Sequence, residues 1–275
     1  MKKIDSLVLD MDGTLLRSDV SVSPEDLSAI KKAIEEGIDI IVASGRPYQN
    51  LPESIRNLPN RYSIQRNGAL VVDWINGHKP IRSQLIRNER AVEVLKDLVA
   101  LDIYISCSAP DEAFIEARNY EKLLSVRPNS RKNPSILHDD IIEAVRASGK
   151  DLENIWTFCF TEESMYQELA LNEKYPDLNI QRTNVRDVAV TDGKANKKDA
   201  LIWLLDYLGR NKSTLAAMGD GDNDLEVLKL AKVSFAPANA TDLIKANVDH
   251  VVASNDENGV CEAINMILDF NRRCL

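Results

Sequence analysis

With 275 residues, 44% of them apolar and 28% charged, the chain has a globular composition and is long enough that two domains are expected. A formal net charge of −9 and only brief basic runs (Lys31-Lys32, Lys197-Lys198, Arg272-Arg273) exclude a nonspecific nucleic-acid binder, and no stretch of about 20 apolar residues offers a membrane span. The same charge repels anionic small molecules at long range, so any phosphate site needs a local cation, a metal or helix N-termini.

Cys107, Cys159, Cys261 and Cys274 form no C-x-x-C pair, which suits reduced thiols better than a disulfide framework or a zinc site. The N-terminus has no signal-peptide core, and a cytoplasmic location is the expectation.

In chain order, Ile4 to Leu9 reads as a buried strand that stops at Asp10-Met11-Asp12-Gly13-Thr14. Ser23-Pro24-Glu25-Asp26 supplies an N-cap, a first-turn proline and an acid for a helix that Gly37 closes. Ile38 to Ala43 is a second buried strand, so a right-handed parallel crossover brings Ser44-Gly45-Arg46 to the same sheet edge as Asp10. Tyr62 to Arg66 and Ala69 to Asp73 flank Asn67-Gly68 as a hairpin, and Asn76-Gly77 offers another turn.

From about 83 to 185 the order changes. Helical stretches are expected at Glu89 to Ala100, Glu112 to Leu124, Asp139 to Ala147 and Glu163 to Glu173, with strands at Ile103 to Ser106, Ile155 to Phe160 and Asn179 to Gln181. Arg127 to Ser135 follows neither pattern. The whole reads as an inserted α+β domain.

Arg186 to Val190 then resumes strand character, Lys197 to Leu208 is helical up to Gly209, and strands at Thr214 to Met218, Val233 to Ala236 and Val248 to Val252 alternate with helices to the end. The expectation is an α/β core of residues 1–82 and 186–275, a doubly wound and mostly parallel sheet whose ligands sit at the strands' carboxyl ends, with residues 83–185 inserted.

Two carboxylates two residues apart at a strand end suit divided labour: an ionised Asp10 attacks phosphorus, and a protonated Asp12 gives its proton to the leaving oxygen. In the second step Asp12 takes a proton from the water that attacks the phosphoaspartate. Gly219-Asp220-Gly221-Asp222-Asn223-Asp224 follows a strand and opens a helix at the same edge, so five carboxylates are expected to converge. Such a cluster needs a cation, and all-oxygen donors suit Mg²⁺. His78, His138 and His250 lie outside these segments, which disfavours zinc. A Ca²⁺ loop starting at Asp220 fails, because Leu225 and Ala231 stand where Gly and Glu are required. Ser44-Gly45 supplies a hydroxyl and amides for phosphate, and Lys197 a compact cation.

These four segments, in this order, resemble the signature of the haloacid dehalogenase (HAD) superfamily. The inserted domain is similar to the type 2 cap of its Cof-like, sugar-phosphate phosphatase branch, which Ser44-Gly45-Arg46, Asn67-Gly68-Ala69 and Asn258-Gly259-Val260 also resemble. The resemblance implies that Asp10 is nucleophile and metal ligand, that Asp12 is acid and base with its main-chain carbonyl on Mg²⁺, that Asp220 is the other protein ligand, and that Asp224 supports the metal's waters. It implies further that Ser44, Gly45, Lys197 and Asn223 hold the phosphoryl group, that Arg46 and Asn67 reach the substrate, and that a small phosphorylated metabolite is the partner. The cap is then expected to be a mobile lid that selects the leaving group.

Two departures stand out: Lys198 replaces the branch's usual Gly, and Ala236-Pro237-Ala238-Asn239-Ala240 replaces A-M-G-N-A. A phosphosugar mutase is the nearest rival, sharing core and cap. A phosphoaspartate receiver module is disfavoured by chain length and by Asp12, and a non-catalytic sugar-phosphate sensor by the filled catalytic positions.

Overall fold

Branched residues from Ser6 to Asp10 are buried on both sides, which a parallel strand covered by helices requires. The computed structural model describes residues 2–47, 50–59, 61–75, 77–128 and 137–274. It divides into two units, residues 1–82 with 196–275 and residues 83–195.

The first unit begins with β1 (Ser6–Asp10), α1 (Pro24–Glu35), β2 (Asp39–Ala43), the single-turn α2 (Glu53–Arg56), β3 (Tyr62–Gln65), β4 (Leu70–Asp73) and β5 (Lys79–Ser83). Ser23 caps α1 by accepting from the amide of Asp26, with Pro24 in the first turn, as the sequence predicts.

The second unit holds α3 (Asn88–Leu98), β6 (Ile103–Ala109), β7 (Glu112–Glu116), α4 (Tyr120–Val126), β8 (Leu137–His138) and α5 (Ile141–Ser148). It continues with β9 (Asn154–Cys159), α6 (Glu162–Lys174), β10 (Leu178–Arg182) and β11 (Asp187–Asp192). The chain returns to the first unit with α7 (Lys197–Leu208), β12 (Leu215–Met218), α8 (Leu225–Leu230), β13 (Val233–Pro237), the short α9 (Asp242–Lys245), β14 (His250–Val252) and α10 (Gly259–Arg273).

The core sheet has the order β14-β13-β12-β1-β2-β3-β4-β5. Pairings from β14 through β3 are parallel, and β4 turns back antiparallel on β3 as the predicted hairpin requires. On one face Val8, Ile41, Ile64 and Ala217 pack against Leu201, Leu204 and Leu205 of α7 and Val227 and Leu228 of α8. Truncating one of these buried leucines to Ala removes about 2–5 kcal/mol. On α1 the apolar residues Ala29, Ile30 and Ala33 are buried, and α1 packs against α10.

The second unit's sheet has the order β10-β11-β9-β6-β7-β8, with antiparallel pairings except between β7 and β8. Two expectations are corrected here. The strand expected to rejoin the core at Arg186 is β11, which pairs with β9 and β10, so the return to the core comes ten residues later, at 196. The helix expected from Glu112 begins instead as β7, because Asp111 takes a left-handed turn (φ 64°) and folds Glu112–Glu116 back on β6. The helical part is confined to α4. Of Arg127 to Ser135, positions 129–135 lie outside the described residues, as does Asn76.

Candidate active site

Adjacent strands β1 and β12 lead in opposite directions, β1 to β2 on one side and β12 to β13 on the other, which makes their carboxyl ends the topological switch point of the sheet. Asp10 ends β1 opposite Ala43, and Leu9 lies opposite Met218, so Ser44 and Gly219-Asp220 emerge beside Asp10.

One carboxylate oxygen from each of Asp10, Asp220 and Asp224 lies within 4.8 Å of the other two. Lys197, the first residue of α7, is 3% exposed, and its Nζ donates to Oδ1 of Asp10 (2.5 Å) and Oδ1 of Asp224 (2.7 Å). The other oxygen of Asp224 accepts from the amide of Gly221 (3.2 Å), so both its oxygens are engaged within the protein. Thr14 Oγ1 donates to Oδ1 of Asp220 (2.8 Å). Gly13 turns the loop with φ 82°, and a Cβ there would come within 2.3 Å of an Asp220 oxygen. Only glycine fits that position.

Burial first, and then the charge of Asp224, raises the pKa of Asp10 well above the usual carboxylate value, against the opposing effect of Lys197. Burial also pushes Asp220 up to about 6, opposed by the Thr14 hydrogen bond and reinforced by Asp224. Burial alone would lower Lys197, but Asp10 and Asp224 outweigh it and hold the ammonium form. Three carboxylates around one ammonium leave the pocket short of positive charge. Hard oxygen donors without His or Cys fit a divalent cation of the Mg²⁺ kind.

The expected convergence of five carboxylates is corrected to three among the described residues. Asp12 lies in the loop that turns back through a bridge to Leu16, and its half-exposed carboxylate is held by Arg46. Nε of Arg46 donates to both Asp12 oxygens (3.0 and 2.8 Å) and Nη2 to Oδ1 (2.6 Å), a bidentate pair. Arg46 thus meets the acid that the sequence sets beside Asp10. Asp222 is exposed and accepts from Thr241 Oγ1 (3.2 Å).

Ser44 is buried, and its hydroxyl accepts from the amide of Arg46 (3.0 Å). Asn67, buried and left-handed (φ 54°), donates its amide to the Ser44 carbonyl (3.2 Å). A Cβ on Gly45 would lie 3.2 Å from the Asn67 side-chain oxygen, so Ser44, Gly45 and Asn67 form one wall. Asn223 is half-buried on the turn that carries Asp224. Lys198 pairs with Glu226 of α8 (3.0 Å) and is half-buried, outside the cluster. Thr14 and Asn239, whose Nδ2 donates to the Gly13 carbonyl (2.7 Å), belong to the site's framework without having been singled out as site residues. Both stand within segments that the sequence marks, and the signal was position in a motif.

A family model described as haloacid dehalogenase-like hydrolase matches residues 7–264. The 5-amino-6-(5-phospho-D-ribitylamino)uracil phosphatase YwtE of Bacillus subtilis is 26% identical over 95% of this chain and 97% of its own length. A putative phosphatase of Haemophilus influenzae is 29% identical, covering 91% of this chain and 93% of its own. Among solved structures, a HAD-superfamily phosphatase from Bacteroides thetaiotaomicron superposes with a TM-score of 0.80 at 25% identity, covering 96% of this chain and 95% of the other.

Proposed function

Since the chain belongs to the haloacid dehalogenase-like hydrolases, which makes it a phosphate-monoester hydrolase, we propose that it is a Mg²⁺-dependent phosphatase of small phosphorylated metabolites that works through a phosphoaspartate on Asp10. The observation that carries this reading is the seating of Asp10 on Lys197, with the buried Asp224 and the half-buried Asp220 in the same group and Asp12 one loop turn away.

Asp10 attacks phosphorus, and the bond to the leaving oxygen breaks as Asp12 donates its proton to that oxygen. Asp12, now ionised, takes a proton from the water that attacks the phosphoaspartate, and phosphate leaves with Asp10 restored. Arg46 holds the Asp12 carboxylate through Nε and Nη2 and must move aside for Asp12 to reach the leaving oxygen. Lys197 fixes the Asp10 carboxylate and adds positive charge where the transferring phosphoryl group loses its partners. Ser44, Gly45, Asn67 and Asn223 supply the remaining hydrogen-bonding groups for that phosphoryl group and its substrate. The carboxylates of Asp10 and Asp220 and the main-chain carbonyl of Asp12 would hold Mg²⁺, with Asp224 behind them. The ion would supply charge neutralisation for the phosphoryl oxygens.

Sugar phosphates are the first substrate class on the family resemblance, and the similarity to a phosphatase of a phosphoribityl compound extends it to phosphorylated polyols. The second unit, residues 83–195, would act as the lid that selects between them. Phosphate release should be measured across a panel of sugar phosphates, polyol phosphates, an aryl phosphate and 5-amino-6-(5-phospho-D-ribitylamino)uracil. Mg²⁺ should restore activity to chelated protein and Ca²⁺ should do so poorly. Full activity in the metal-stripped state would overturn the metal dependence, and phosphoryl return to a second sugar hydroxyl would favour a mutase.

A further inference from the structure

The departing stretch Ala236–Ala240 and the segment Asn258-Gly259-Val260 take no part in the chemistry above, yet both lead to the loop between Asp10 and Ser18. Asn239, at the turn after β13, bridges two segments with one side-chain amide. Its Nδ2 donates to the Gly13 carbonyl (2.7 Å) and its Oδ1 accepts from the amide of Asn255 (3.0 Å). Asn255 is 7% exposed, and its own Nδ2 donates to the Leu16 carbonyl (2.8 Å). Next to it, Asp256 accepts from the amide (2.9 Å) and hydroxyl (2.6 Å) of Ser18, while its carbonyl accepts from Arg17 Nη2 (2.6 Å).

The shape of this clamp depends on the second motif. Asn258 is left-handed (φ 65°), and a Cβ on Gly259 would meet the Ala253 carbonyl oxygen at 2.0 Å. The tight loop 253–259 that presents Asn255 and Asp256 therefore closes only on glycine. At the loop's other contact, Gly13 lies against the Asp220 carboxylate, and Thr14 donates to it. Residues 11–16 are thus gripped from two sides, by Asp220 within the carboxylate cluster and by an amide pair from the C-terminal segment.

We propose that Asn239 and Asn255 are positioning residues that hold the Gly13 and Leu16 carbonyls and thereby fix the loop that carries Asp12 relative to Asp10. The proposal rests on the phosphatase reading for its kinetic consequence and on geometry alone for its structural one. Neither asparagine touches the reacting atoms. Each acts by setting where Asp12 stands, and a displacement of about 1 Å at a reacting group lowers turnover about 100-fold.

The isosteric Asn239→Asp tests this, because it keeps the oxygen that accepts from Asn255 and replaces the donor to Gly13 with an oxygen that repels the carbonyl. Asn255→Asp does the same at Leu16. In both, kcat should fall about 10- to 100-fold with KM within about 2-fold. Amide hydrogen exchange, which needs no substrate, should accelerate in residues 11–18 while the β1 and β2 amides keep their protection. An inactive wild type would defeat the phosphatase reading and leave the exchange result to decide the clamp. Wild-type kcat with unchanged exchange in 11–18, or exchange that rises equally throughout the core with a matching fall in Tm, would overturn the proposal.

Discussion

The carboxyl end of β1 and the space between β9 and α6 both bury carboxyl groups, but only the first buries a cation with them. At β1, Lys197 lies between Asp10 and Asp224 and the group as a whole still lacks positive charge. In the second unit, Glu168 is fully buried and accepts from Thr157 Oγ1 (2.8 Å to each oxygen), with the thiol of Cys159 at 3.3 Å. No ion pair reaches Glu168 among the described residues, and burial pushes its pKa up to about 7. A hydroxyl and a thiol are enough to seat a neutral carboxylic acid in a core. An ionised cluster needs an ammonium and has capacity for a metal. Burial raises the pKa of both Asp10 and Glu168, and at Asp10 a buried ammonium opposes that rise.

The largest effect should follow from deleting the acid that Lys197 holds at the end of β1. Asp10→Asn should lower phosphate release about 10⁴-fold or more while Tm stays at or above wild type, since a buried like charge is removed. Substantial turnover in that variant would place the nucleophile elsewhere.

Removing the cation should convert the first region toward the second. Lys197→Met leaves Asp10 and Asp224 facing each other without their partner, and metal-free protein should lose about 3–5 kcal/mol by urea denaturation near neutral pH. Adding Asp224→Asn should recover a large part of the loss. If the single variant is as stable as wild type, the ion pairs to Lys197 do not hold the site together.

The smaller effect belongs to the second region and has the sign of a raised acid. Glu168 has a folded value of about 7 against an ordinary 4.5, so its contribution is complete below about 4.5 and is lost as pH rises through about 7. The loss is on the order of 3 kcal/mol. Glu168→Gln should flatten that part of the pH dependence of unfolding, and an unchanged slope between pH 5 and 8 would show that Glu168 does not titrate there.

The two regions also differ in how far the sequence discloses them. Asp10 and Asp220 were legible because short apolar runs end abruptly at polar motifs, and α/β alternation dictates that such ends share one edge, whereas Lys197 was legible as the cation that opens the helix after the inserted domain. The side-chain directions were not legible. Asp12 and Asp222 share the edge by position, but Asp12 is drawn to Arg46 and Asp222 to Thr241, partners distant in sequence. In the second unit, Glu112–Glu116 has a composition that suits a helix, and only its pairing with β6 makes it a strand. Likewise β11 has the apolar run of a core strand, and its antiparallel partners decide which sheet receives it. Glu168 gave no signal, because a buried neutral acid on a helix reads in sequence like any surface glutamate.

The most direct test of the central claim is the identity of the phosphorylated side chain. Protein turning over an aryl phosphate with Mg²⁺ should be quenched with borohydride, which reduces an acyl phosphate, and digested for peptide mass spectrometry. Substrate-dependent conversion of residue 10 to homoserine, absent in Asp10→Asn and increased in Asp12→Asn as the second step slows about 10²–10⁴-fold, is the predicted result. Label at residue 12, or none on any aspartate during rapid turnover, would contradict the account and favour direct attack by water.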